Sequence, residues 1–190
     1  MAGIIIADTI RSSGNTLTLN AATQTVATID SSGNIKFKSA ISVGDATPTT
    51  SGAGITFPAT QSASSDANTL DDYEEGTWTT TVTSQSGTIT TSSFSGAKYT
   101  KIGNIVIITV TITITTVGTA SGHCLFTLPF TGASVQQNGG YGMESNTNGA
   151  MLKGFLQASS SSMQITQYNN ASPFALGNGS IFNMNAIYQI

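Results

Sequence analysis

Apolar and polar side chains alternate along much of this chain, most clearly within residues 104–117, where Val or Ile alternates with Thr from Ile108 to Thr115. Because successive side chains of a strand point to opposite faces, this period of two predicts a strand with one buried face. Segments of the same kind predict strands at 77–83, 88–94, 97–102, 104–117, 122–128, 140–145, 150–158, 162–168 and 181–189. Helical periodicity is lacking, so the pattern predicts an all-β fold.

A sequence repeat precedes these strands. The run Ser-Ser-Gly-Asn at 12–15 recurs at 31–34, and a looser copy, Ser-Gly-Ala-Gly, stands at 51–54. Each copy is followed by a short apolar and polar alternation, so each predicts a turn that leads into a short strand. The apolar positions of the three strands are Leu17, Leu19, Ile35, Phe37, Ile55 and Phe57.

These apolar side chains are too few to stabilise the repeat region of a single chain. Ordering one residue costs roughly 1 to 2 kcal/mol of conformational entropy, which so small a buried surface cannot offset. If identical chains run side by side, their apolar rows meet on a common axis while Ser, Thr and Asn face water. The pattern therefore predicts a slender, repetitive β shaft of several chains over residues 11–65. A flexible tail with chance matches is the alternative interpretation.

Changes in composition divide the rest of the chain. Residues 66–76 hold five of the nine acidic residues and predict a solvated acidic collar, the five being Asp66, Asp71, Asp72, Glu74 and Glu75. Residues 77–190 contain the predicted strands with Gly- and Asn-rich turns, which fit a jelly-roll-like antiparallel β-sandwich head. Residues 1–10 precede the first repeat and are interpreted as an anchoring segment.

Charge and composition exclude several classes of partner. Only 8% of the residues are charged, and the net charge of −3 leaves no basic surface for a nucleic-acid backbone. Apolar runs are far shorter than the roughly 20 residues that span a bilayer, so we expect no membrane insertion. The N-terminus lacks the basic region of a secretory signal, so we expect synthesis in a cytoplasm. One Cys and one His cannot build a Cys/His zinc set, and we expect no metal and no cofactor.

Two motifs carry a family resemblance. The run Leu70-Asp-Asp-Tyr-Glu-Glu-Gly-Thr-Trp78 is followed by Tyr99-Thr-Lys-Ile-Gly-Asn104. Together they resemble a recurring signature of bacteriophage fibre and receptor-binding proteins, and the match covers residues 62–110. The run from Ala7 to Leu19 also resembles the repetitive stems of such fibres. One departure is Thr80, where the family usually has Pro.

The resemblance implies a homotrimeric virion fibre whose β-rich head contacts the host surface. Its expected partners are copies of itself, other virion proteins through the N-terminus, and a host surface glycan. The expected location is the virion, on the tail or the capsid surface, after assembly in the host cytoplasm. A tail fibre is favoured, and a capsid head fibre or decoration protein is the alternative.

Two loops of the head are candidates for receptor contact. Residues 136–149 and 168–180 combine aromatic side chains with amides and hydroxyls. Neutral sugars are bound by such mixtures, because a ring packs on the apolar sugar face while planar amides bond the hydroxyls. The candidate contacts are Tyr141, Glu144, Asn146, Tyr168, Asn169, Asn170 and Phe174. Ordinary turn composition is the alternative explanation.

Catalysis is the rival interpretation from another class. A glycan-degrading tailspike needs two carboxylates about 5 to 9.5 Å apart, and alternation would place Asp72 with Glu74 on one face. A cation or water cluster in the collar is a further alternative. His123 and Cys124 are adjacent on a predicted strand and therefore face apart, which disfavours a nucleophile and base pair. Trp78 is expected to be a core or interface anchor. We therefore expect a non-catalytic adhesin.

Overall fold

The computed structural model describes residues 17–38, 40–43, 46–48, 54–61, 64–66, 68–169 and 173–190. The chain divides into two compact units, a first unit, Met1–Ala63, and a second unit, Ser64–Ile190. The predicted boundary at residue 65 lies within two residues of this division. The anchoring segment predicted for residues 1–10 lies outside the described residues. Every regular element in the described ranges is a β-strand, as the alternation predicts.

The first unit contains two small sheets. Strands β1 (Leu17–Ala21), β2 (Gln24–Ile29) and β3 (Ile35–Phe37) form an antiparallel sheet in that order. Strands β4 (Ile41–Ser42) and β5 (Ile55–Thr56) form a parallel pair. The strand segments that follow the three repeats are therefore present, but β2 was not predicted.

The second copy of the repeat forms the turn between β2 and β3. The Asp30 carboxylate accepts hydrogen bonds from the Asn34 amide group and from the backbone N–H groups of Ser32 and Asn34. These bonds, above all those from Asn34, lower the pKa of Asp30. Gly33 adopts a φ of 83°, a left-handed conformation that favours glycine. The turns of the other two copies fall mostly outside the described residues.

One face of the β1–β2–β3 sheet is apolar, and we call it the apolar sheet face. Cross-strand partners share a face, so the register places six apolar side chains together in two rows, Leu17–Ile29–Ile35 and Leu19–Ala27–Phe37. The opposite face carries the row Thr18–Thr28–Lys36. Of the six apolar residues only Ala27 is buried, while Ile35 is 58% exposed and Phe37 47% exposed. A single chain therefore leaves this face largely open to water.

The second unit is one curled antiparallel sheet of nine strands. The order across the sheet is β6-β8-β9-β14-β11-β12-β13-β10-β7. The strands are β6 (Tyr73–Thr77), β7 (Val82–Ser86), β8 (Thr91–Ile102), β9 (Ile105–Thr116), β10 (Ser121–Thr127), β11 (Gln137–Glu144), β12 (Met151–Leu156), β13 (Ser162–Gln167) and β14 (Ile181–Gln189).

The inner face of this sheet forms the core. On β9 the predicted buried positions are confirmed, from Val106 to Ile114 at every second residue. The remaining large core side chains come from the strands beyond it, among them Phe126, Leu152, Leu156, Met163, Ile165, Phe182 and Tyr188. The outer face carries the alternate residues and is therefore where a ligand can reach the sheet.

The two edge strands of the sheet are consecutive in the chain. The connection between β6 and β7 donates a backbone hydrogen bond from Trp78 to Ala97 of β8 and accepts one from Thr127 of β10 at Thr81. The Trp78 indole and the Thr80 hydroxyl both donate to the Thr127 carbonyl, each at 2.9 Å. The sheet is therefore curled so that its two ends approach each other. Trp78 is confirmed as an anchor, and Thr80 fixes the turn through its hydroxyl.

Two predicted strand boundaries are wrong. The strand predicted at 77–83 is interrupted, because 78–81 crosses from one end of the sheet to the other. The strands predicted at 88–94 and 97–102 are the single strand β8, whose register shifts between Ser95 and Lys98. Gly96 has a φ of 61° at this shift, so the glycine marks a β-bulge and not a turn.

Candidate functional site

The two halves of the sequence signature pair with each other as neighbouring strands. In the register of β6 and β8, Glu74 lies opposite Lys101 and Gly76 lies opposite Tyr99. A Cβ atom at Gly76 would lie 2.6 Å from the Tyr99 hydroxyl oxygen and 2.7 Å from its ring. The tyrosine ring thus lies across the strand where only glycine leaves room. This pairing makes the signature a packing unit at one end of the sheet.

A buried ion pair lies at the start of this unit. Asp72 and Lys101 are both buried, and the Lys101 ammonium pairs with the Asp72 carboxylate. The same ammonium lies 5.5 Å from the centre of the Phe130 ring, within cation–π range. The expectation of a solvated collar is therefore wrong for Asp72, because the curled sheet encloses its carboxylate.

The neighbouring carboxylates are bound by tyrosine hydroxyls. Tyr99 donates to Glu74, and Tyr73 donates to Glu75. The hydrogen bond to Glu74, with some burial, raises the pKa of Tyr99 to about 12, and the bond to Glu75 raises the pKa of Tyr73. The phenols therefore stay protonated at neutral pH and remain donors. Glu74 and Glu75 therefore each have a hydrogen-bond partner, while Asp66 and Glu75 remain exposed to solvent.

The structure separates His123 from Cys124, as expected. Cys124 faces the core, and burial raises the pKa of its thiol to about 12, which disfavours the reactive thiolate. His123 is half-buried, and its Nδ1 lies 3.4 Å from the Ile165 carbonyl oxygen. Within the described ranges, no group of three or more His, Cys, Asp or Glu residues is placed to hold a metal ion.

Glu144 organises the end of the sheet where the predicted loops lie. Its carboxylate is fully buried and accepts hydrogen bonds from the backbone N–H groups of Asn146, Thr147, Asn148 and Ile181. Burial alone would raise the pKa of Glu144, but these four donors outweigh it and lower the pKa to about 2. Glu144 is therefore a structural anion and is not available to a receptor.

The two predicted receptor loops meet at this carboxylate. The Asn146 amide donates to the Gly179 carbonyl at 2.8 Å, and the Ser145 N–H donates to the Ile181 carbonyl. The Asn183 amide donates in turn to the Ser145 hydroxyl. The described parts of the two loops, whose nearest ends are 19 residues apart in the sequence, thus contact each other through the Asn146 amide.

A recess beside these loops contains the exposed aromatic residue Tyr168, and we call it the Tyr168 recess. It has a volume of about 440 Å³ and is lined by Asn148, Ala150, Met151, Gln167, Tyr168 and Asn169. The Tyr168 side chain is 66% exposed, and its backbone N–H donates to the Met151 carbonyl. Tyr141, 57% exposed, lies on the same outer face two residues before Met143, the cross-strand partner of Met151.

The predicted receptor contacts differ in their exposure to solvent. Tyr141, Tyr168 and Asn169 are exposed, whereas Asn170 lies outside the described residues. Phe174 is wrong as a surface contact, because it is 2% exposed and packs edge-to-face on Phe182 with ring centres 5.4 Å apart.

Sequence reasoning missed four residues of the recess, Asn148, Ala150, Met151 and Gln167. Met151 could have been found, since it precedes Leu152 on a predicted strand and must point outward when Leu152 points into the core. Asn148 and Gln167 carry no such signal, because their place in the recess depends on which loop lies beside which strand.

Comparison with known proteins gives no match: no family model, no curated protein and no solved structure is similar to this chain. Among the described residues there is also no helix long and apolar enough to cross a membrane.

Proposed function

We propose that this chain is a virion fibre protein, with a tail fibre favoured, that attaches to a host surface glycan by multivalent, non-catalytic binding. The strongest support is the combination of an uncovered apolar face in the first unit with an exposed aromatic and amide recess in the second. The uncovered apolar face requires a partner chain to bury it, and the recess has side chains suited to binding a sugar. The signature motifs add the family resemblance.

The strand order supports a jelly-roll-like head. The edge strands β6 and β7 are joined by the crossing segment 78–81 and lie beside β8 and β10 respectively. If they count as one bent strand, eight strands follow one another around the curl. The hairpins β8–β9, β11–β12 and β12–β13 then alternate with connections between strands that are not adjacent in the sheet, β9 to β10, β10 to β11 and β13 to β14, as in Greek-key sandwiches.

The apolar sheet face supports assembly of identical chains into a homotrimer. Five of its six apolar side chains remain in contact with water in one chain. Each such side chain gains roughly 25 cal/mol for every Å² removed from water. Identical copies around an axis would bury these rows against one another and leave the Thr and Lys row outside. A homotrimer is the assembly that the fibre signature implies.

Replacing Ile35 with Asp is expected to dissociate the trimer. Three carboxylates would face one another at the interface, where burying an unpaired charge is strongly unfavourable. The matched control is Lys36→Asp, because Lys36 lies on the opposite face of the same strand. Sedimentation at micromolar concentration should give a trimer for the wild type and for Lys36→Asp, and a monomer for Ile35→Asp. A monomeric wild type would contradict the proposed assembly.

The Tyr168 recess supports weak binding of a sugar by each chain. A tyrosine face can pack on the apolar side of a sugar ring, while the amides of Asn148 and Asn169 are within the same recess for its hydroxyls. Three such sites on one trimer raise the effective affinity without any new contact. This arrangement suits a particle that samples a surface before it commits to it.

Replacing Tyr168 with Ala is expected to weaken glycan binding by about tenfold per site, since it removes the stacking face. The matched control is Phe94→Ala, an exposed aromatic residue on β8 that does not line the recess. Binding to a panel of immobilised bacterial surface polysaccharides measures both variants. If Tyr168→Ala and Phe94→Ala bind the polysaccharides equally well, the assignment of the recess as the sugar site is contradicted.

Incubation with the same polysaccharides also tests the rival functions. Release of reducing ends that is lost in Glu74→Ala would establish a glycan-degrading tailspike instead of an adhesin. Antibody labelling of intact virions separates a tail fibre from a capsid head fibre, because the label marks where the protein is attached.

A further inference from the structure

A second recess lies on the outer face next to the Tyr168 recess, and we call it the Lys153 recess. It has a volume of about 310 Å³ and is lined by His123, Asn138, Lys153, Phe155, Gln164 and Thr166. The register of β12 and β13 places Lys153 opposite Thr166 and Phe155 opposite Gln164, so these side chains are direct neighbours. The recess was not among the predicted receptor loops.

The two recesses are adjoining parts of one surface. Met151 lines the first and Lys153 the second, and they are two residues apart on β12, about 7 Å along the strand. Tyr141 lies beside this surface on β11, because it is the cross-strand partner of Lys153 and lies two residues before Met143, the partner of Met151.

The Lys153 recess is distinguished by its charge. Its lining contains a lysine and a histidine but no carboxylate. The other lysines of the second unit differ, because Lys101 is buried in its pair with Asp72, and the recess beside Lys98 is also lined by Glu75. Among the described residues no carboxylate forms an ion pair with Lys153, so its ammonium is left to a ligand.

The other lining groups suit a sugar that bears an acid. With Nδ1 of His123 directed to the Ile165 carbonyl, Nε2 is the ring nitrogen left for a ligand. Phe155 is half-buried and offers an apolar surface, while Asn138 and Gln164 supply amide donors and acceptors. A sugar carboxylate would be bound by Lys153 through a charge-assisted hydrogen bond.

We infer that the glycan bound by this protein is acidic, and that Lys153 binds the carboxylate of a uronic acid adjoining the sugar stacked on Tyr168. This inference rests on the proposed function, because it takes a glycan to be the ligand. The inference adds that the glycan is acidic. The composition of the chain did not indicate this class of glycan, because the chain itself carries a net charge of −3.

The test compares uronic acid-containing bacterial polysaccharides with the same polymers after chemical reduction of their carboxyl groups. The full chain is expected to bind the acidic forms and to lose about tenfold in affinity on reduction. Lys153→Gln should lose about the same factor in affinity for the acidic polysaccharides, and its affinity for the reduced polysaccharides should change little. The matched control, Lys98→Gln, makes the same charge change on an exposed lysine outside the recess and should bind as the wild type does.

The outcomes separate this inference from the proposed function. Binding of a polysaccharide that is unchanged by carboxyl reduction and by Lys153→Gln would overturn the acidic-sugar site while leaving glycan attachment in place. Equal losses in Lys153→Gln and Lys98→Gln would show non-specific attraction and would also overturn it. Retention of no polysaccharide by the wild-type trimer would overturn both.

Discussion

Replacing Lys101 with Met is expected to lower the free energy of unfolding of the second unit by about 3 to 5 kcal/mol, because it leaves the Asp72 carboxylate buried without its cation. Both residues are enclosed by the sheet, so water cannot replace the lost partner without opening the structure. Urea denaturation followed by the fluorescence of Trp78 measures the change, since Trp78 is the single tryptophan of the chain.

Two further variants test this explanation. Lys98→Met removes an exposed lysine of the same strand and is expected to change the free energy of unfolding by less than about 0.5 kcal/mol. In the double variant Asp72→Leu with Lys101→Met, most of the lost stability should return, because no unpaired charge remains. A single Lys101→Met variant as stable as Lys98→Met would mean that the pair is hydrated and contributes little.

Replacing Glu144 with Ala is expected to cost about 3 kcal/mol, because four backbone N–H groups lose their acceptor at once. The two loops joined at this carboxylate should also separate, so glycan binding falls together with stability. Urea denaturation measures the first effect, and polysaccharide binding measures the second. Thr147→Ala is the matched control, since it keeps the backbone donor and changes only an exposed side chain of the same loop.

The low pKa of Glu144 also fixes the direction of its pH dependence. Its pKa of about 2 lies below the ordinary value of 4.5, so its stabilising contribution is complete above about pH 4.5 and is lost as pH falls towards 2. As the pH falls from about 4.5 towards 2, Glu144→Gln should therefore lose less stability than the wild type does. A variant with the same acid dependence as the wild type would contradict the assignment of this carboxylate.

The strands of the second unit could be predicted from sequence wherever alternation is strong. The Val, Ile and Thr pattern of β9 predicts both the strand and its buried face, and the structure agrees. The first unit is different, because β2 has only small or isolated apolar side chains on the apolar sheet face, Ala27 and Ile29. A weak alternation of this kind becomes visible only when its neighbours β1 and β3 are known.

The pairing partners of polar residues could not be predicted. Lys101 lies in a motif that resembles a fibre signature, yet nothing local indicates that its side chain turns inward to Asp72, 29 residues earlier. Loop composition also did not predict the position of Phe174, since an aromatic residue among Ser, Pro and Ala fits either a receptor contact or a core position. Its burial against Phe182 is decided by the tertiary packing.

The crossing segment between β6 and β7 has a consequence for how the second unit folds. The hairpin β8–β9 joins neighbouring segments and can form early, because closing its short loop costs little entropy. The Trp78 indole instead bonds to Thr127, 49 residues away, and this bond requires β10 to be in place. Closure of the curl is thus one of the long-range events of folding, and the environment of one indole changes when it happens.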